Sequence, residues 1–137
     1  MSRCLLYTYN PAAGAVAAGE NIPTGTIGSI VRRHGCAAAP SLSGIQLTEE
    51  GYYKVFITAT VTAEAAGTLT ATLKQDGTAV PGTAVSGTAA AAGDEVILKI
   101  PAAAVRVLRC PSRSVLTVTL TGGAATAASM AVLVDKD

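Results

Sequence analysis

A chain of 137 residues and 13.6 kDa builds one hydrophobic core and has little material for a second. Only 14% of its residues are charged and the net charge is +1, against roughly 25% charged in an ordinary soluble domain. That balance excludes a protein that coats nucleic acid, which needs dense Lys and Arg to displace counterions.

The N-terminal stretch MSRCLLYTYNPAAG carries a short Leu5-Leu6 pair before Thr8 and Asn10. A secretory signal needs an apolar run of about 7–15 residues and a small-residue cleavage site, and a membrane span needs ~20 apolar residues. Neither pattern is met, so a soluble product made in the cytoplasm, with no membrane partner, is expected. Residues 10–25, NPAAGAVAAGENIPTG, are rich in Gly and Ala and hold two prolines. They read as a loop or extended arm. The expected layout is a single domain overall, with an N-terminal strand and arm or loop over 1–25 and the folded body over 26–137.

From residue 51 onward the apolar residues recur with period two, the spacing of a strand with one face buried. In GYYKVFITATVTA, Tyr53, Val55, Ile57, Ala59 and Val61 share one face, while Tyr52, Lys54, Phe56, Thr58 and Thr60 share the other. TLTATLKQDG sets Leu69, Ala71 and Leu73 against Thr68, Thr70 and Thr72, and Asp76-Gly77 then supplies a turn. Val96, Leu98 and Ile100 alternate with Ile97 and Lys99, and Val105 and Val107 with Arg106 and Leu108. VLTVTLTGG places Leu116, Val118 and Leu120 together, and SMAVLVDKD places Met130, Val132 and Val134 together. The core expected from this pattern is Tyr53, Val55, Ile57, Val61, Leu69, Leu73, Leu116, Val118, Leu120 and Val132.

The chain holds 27 alanines, and alanine is the best helix former. Yet the tract at 89–92 ends at Gly93, the tract at 37–39 ends at Pro40, and 102–104 follows Pro101. None reaches the ~12 residues that a helix needs to stand alone. The 17 threonines favour strands because branching at Cβ restricts χ1. About eight to ten short strands separated by Gly, Pro, Asn and Asp imply an all-β, two-sheet antiparallel sandwich or jelly roll. The strands within residues 84–104 resist assignment from sequence.

Chemistry is sparse. His34 stands two residues from Cys36 in RRHGC, a spacing that shares a strand face, but nothing nearby offers the orienting group and oxyanion site that nucleophilic catalysis needs. Cys4, Cys36 and Cys110 form no CxxC pair and read as free thiols, with any pairing in an oxidising medium left open. Glu49, Glu50, Asp94 and Glu95 fall at expected turns and match no calcium loop. No phosphate-binding glycine loop is present. No catalytic residue, cofactor or metal is therefore expected. Arg106, Arg109 and Arg113 cluster around Cys110; they suit either an acidic partner surface or a solubilised edge.

IQLTEEGYYKVFITATV followed by GTLTATLKQDGTAVPG resembles the tumour-necrosis-factor-like superfamily, which includes complement globular heads and relatives in phages and on bacterial spores. The residues that carry the resemblance are Ile45, Leu47, Gly51, Tyr53, Val55, Leu69, Leu73, Asp76 and Gly77, and ASMAVLVDKD is similar to the family's last strand. The resemblance spans roughly residues 20–135 and implies a jelly roll that assembles as a homotrimer, with the strand at 51–63 facing the three-fold axis. Tyr52 and Phe56 would then be buried between protomers. The function it implies is structural and non-enzymatic: a module of a phage or prophage virion, as capsid decoration, head fibre or tail-fibre tip. Its partners would be its own copies and capsid or fibre proteins, assembled in the host cytoplasm. The alternative is a binding module of a bacterial cell or spore surface that recognises glycan or protein through exposed loops.

Overall fold

The structure of the chain, a computed structural model, describes residues 4–11, 14–23, 30–34, 38–40, 44–108 and 113–136. Among these there is no helix, and twelve strands follow one another. They are β1 (Cys4–Asn10), β2 (Gly14–Val16), β3 (Ile30–His34), β4 (Ala38–Pro40), β5 (Ile45–Leu47) and β6 (Gly51–Ala63). β7 (Gly67–Gln75), β8 (Thr78–Ala79), β9 (Val85–Ala89), β10 (Glu95–Val107), β11 (Ser114–Thr121) and β12 (Ala125–Lys136) complete the chain. The number exceeds the eight to ten expected because β2, β4 and β8 are only two or three residues long, too short to show a period.

The strands form two six-stranded antiparallel sheets. The first has the order β10-β6-β12-β1-β3, with β2 also paired to β12. The second has the order β4-β5-β11-β7-β8, with β9 also paired to β7. Inward side chains of both sheets meet in one core, and the period-two pattern dictates which ones. Tyr53, Val55, Ile57 and Val61 on β6, Leu69 and Leu73 on β7, Leu116, Val118 and Leu120 on β11, and Val132 on β12 are each no more than 3% exposed. A buried Val, Leu or Ile side chain contributes about 1.5–3 kcal/mol. Tyr53 is the core's aromatic residue, and its hydroxyl donates to the Glu49 carbonyl at 2.8 Å.

Two segments differ from the sequence expectation. Residues 14–22, expected as loop or arm, lie along the sandwich. β2 continues the line of β1 on β12, Asn21 bridges to Thr119, and Val16 and Ile22 are buried. Val16 and Ile22 anchor the segment in the core, and the Gly19 and Ile22 amides donate to the Leu120 and Val118 carbonyls while the Leu120 amide donates to the Glu20 carbonyl. Residues 95–107, read as two alternating pieces, are one strand. Its register on β6 shifts between Ile100 and Ala103, so the inward side passes from even to odd positions around Pro101. Proline is tolerated there because β10 is an edge strand and a bulge leaves the ladder open.

Turn chemistry explains the connections. Asp76 and Gly77 both have positive φ, 51° and 84°, the signature of a type I′ turn between β7 and β8. Past Ala89, the end of β9, the alanine tract becomes a loop because the Asp94 carboxylate accepts from the Ala90 and Ala91 amides at 3.0 and 3.1 Å. Gly87 on β9 permits close approach of the sheets: a Cβ there would meet Val96 Cγ1 at 2.4 Å.

Candidate functional site

Because each strand shows alternate residues to opposite sides, the outer face of the first sheet can be read from the register. Phe56 stands opposite Leu133, and Leu133 opposite Tyr7, so one row crosses β6, β12 and β1. On one side lie Lys54, Asp135 and Leu5; on the other lie Thr58, Ala131 and Tyr9. Tyr52 stands opposite Arg106 on β10, whose guanidinium lies 5.7 Å from the ring centre. Tyr52 is 66% exposed, Ile97 63%, Tyr9 44%, Phe56 41% and Leu5 37%.

Four of the chain's five aromatic residues thus lie on one outward face, and the fifth, Tyr53, is in the core. Tyr52 and Phe56 were expected to share an outward face by parity alone, and the structure places them on this one. Tyr7, Tyr9, Leu5 and Leu133 were not singled out. Their signal, the alternation Leu5-Tyr7-Tyr9, is readable only once β1 and β12 are known to sit beside β6.

The outer face of the second sheet has the opposite chemistry. Thr68, Thr70, Thr72, Ser86, Thr88, Thr117 and Thr121 line it. Many of their hydroxyls are already engaged: Thr70 with Ser86 at 2.8 Å, Thr68 with Thr88 at 3.3 Å, and Thr121 with the Thr70 carbonyl at 3.4 Å. One face is therefore lined by hydroxyls that bond to one another, and the other carries an exposed aromatic row flanked by Lys54 and Asp135.

His34 ends β3, while Cys36 and Cys110 lie outside the described residues. No cluster of three or more His, Cys, Asp or Glu suited to a metal occurs among the described residues.

No protein-family model and no curated protein sequence matches the chain. Solved structures do. The PRD1 vertex protein P5 superposes with a TM-score of 0.57 at 17% identity, over 97% of this chain and 96% of that one. Murine APRIL does so with a TM-score of 0.63 at 10% identity, over 97% and 98%. Eiger TNF from S. frugiperda gives 0.62 at 14%, over 100% and 94%. The fold is the tumour-necrosis-factor-like jelly roll. At these identities the likeness is one of backbone course, end to end, rather than of surface chemistry. The jelly roll brings the aromatic row together on three neighbouring strands of its first sheet, β6, β12 and β1.

Proposed function

We propose that this chain is a non-enzymatic structural module that assembles as a homotrimer on a virion. The observation that carries the reading is the aromatic face. A jelly roll of 13.6 kDa with five aromatics spends four of them outside its core, on one sheet, where burial would recover roughly 25 cal/mol per Å². Exposed apolar patches of that kind mark contact surfaces. The hydroxyl-lined opposite sheet suits the outside of the assembly.

A ring of three copies is closed by head-to-tail contacts, so the surface of one copy meets a different surface of the next. The aromatic face centred on Phe56 is one half. The edge of β10, the end strand of that sheet, is suited to the other. The full-length likeness to a vertex protein of PRD1 supports a virion location, with capsid or fibre proteins as further partners and assembly in the host cytoplasm.

Light scattering of the purified chain tests this reading. A solution mass near three times 13.6 kDa is expected. Tyr52→Glu combined with Phe56→Glu is expected to yield monomer with an unchanged β circular-dichroism spectrum. Monomer in the unsubstituted protein at micromolar concentration, or an intact trimer in the double variant, overturns the assignment of this face.

A further inference from the structure

A second surface carries unspent chemistry, at the end of the sandwich where β7, β10 and β11 meet. A cleft of about 340 Å³ is lined by Gln75, Asp76, Arg106, Leu108, Arg113 and Ser114. Its wall is fixed by hydrogen bonds, one of which ties the two sheets together. Gln75 Nε2 donates to the Arg106 carbonyl at 2.7 Å and to Ser114 Oγ at 3.0 Å. The Ser114 hydroxyl donates to Asp76 Oδ2 at 2.6 Å, and the Val115 amide donates to Asp76 Oδ1 at 2.9 Å.

The carboxylate in the cleft is thus engaged by two internal donors, while the two guanidiniums are not ion-paired among the described residues. The Arg106 head rests over Tyr52, and its backbone is pinned by Gln75. A second cleft of about 300 Å³ shares Gln75 and Arg106 and continues over Val80, Pro81 and Ala104.

We propose that this cleft binds a sugar acid, a carboxylate carried on a ring of hydroxyls. The guanidinium fork matches a planar carboxylate with two parallel N–H···O bonds. A cleft of 340 Å³ lies in the range of small-molecule sites and accepts one pyranose ring. Leu108 offers an apolar patch to the C–H face of the ring, and the free lone pairs of Asp76 and Ser114 accept from its hydroxyls. Asp76 also selects the anion: one fixed negative charge in the wall penalises a dianionic phosphate more than a monoanionic carboxylate. The adjoining cleft extends the site to a second sugar unit.

Calorimetry and backbone amide shifts of the full chain with galacturonic acid, digalacturonic acid, galactose and inorganic phosphate test the proposal. Saturable binding of galacturonic acid with shifts at Gln75, Arg106 and Ser114 is expected, tighter binding of the dimer, and none of galactose. Arg106→Gln and Arg113→Gln should each weaken it by about tenfold at unchanged solution mass. No saturable binding of either uronic acid, or phosphate bound as well as galacturonic acid, overturns the proposal. So does a loss of assembly in Arg113→Gln, which would give the charges to a sister copy. Arg106 rests over Tyr52, so the titration is repeated in Phe56→Glu, which leaves that contact in place: uronic acid bound by a monomeric variant separates this site from the trimer reading.

Discussion

Thr8 is fully buried on β1, and its hydroxyl has no hydrogen-bond partner among the described residues. A hydroxyl stripped of water and given nothing in return costs about 1–3 kcal/mol. Thr8→Val keeps the shape and removes the orphan. The expected result is a gain of about 1 kcal/mol, read as a higher urea midpoint at constant slope; an unchanged or lower midpoint would mean that the hydroxyl is satisfied. Lys136 shows the other solution at this scale. It is 1% exposed, yet its ammonium lies 3.6 Å from Glu49. Gly51, with φ of 137°, leaves room for the chain: a Cβ there would come within 2.9 Å of Lys136 Cε.

At the scale of elements, Gly87 on β9 faces Val96 on β10 without a side chain between them. Gly87→Val inserts volume into that contact, and overpacking of this kind costs about 1–3 kcal/mol. A fall in thermal midpoint with β content preserved is expected, and an unchanged midpoint would show that the sheets part freely there. The same scale explains what the sequence could disclose. β6, β7 and β11 are legible because apolar residues recur at every second position and that face is buried through most of each strand. The Asp76-Gly77 turn is legible because few residue pairs accept two positive φ values. β10 is not, because its inward parity flips at a bulge that only its pairing with β6 reveals. β2 is not, because Val16 stands alone between Ala15 and Ala17. For the aromatic face, parity on one strand yields Tyr52 and Phe56. Joining them to Leu133 and Tyr7 requires the neighbour order β6-β12-β1, which is a property of the folded chain and not of any segment.

For the whole molecule, the trimer proposed above would tie stability to association. If copies cover one another's aromatic face, the trimer binds native chains and excludes unfolded ones, so the thermal midpoint rises with protein concentration. A hundredfold dilution should lower it measurably in the unsubstituted chain and leave it fixed in the Tyr52→Glu, Phe56→Glu variant. A midpoint independent of concentration in both would argue for a self-sufficient monomer.

The pairing of β1 with β12 has a mechanical consequence. Cys4 lies opposite Lys136, and the ladder runs from there to Asn10 opposite Met130. A tensile load applied between residues 4 and 136 pulls along the direction of the interstrand hydrogen bonds, which lie perpendicular to antiparallel strands. The seam yields like a zip, one rung at a time from the loaded end, instead of resisting as a block in shear. Held by both ends, such a unit is a compliant joint; held by one end, it bears none of that load through the seam.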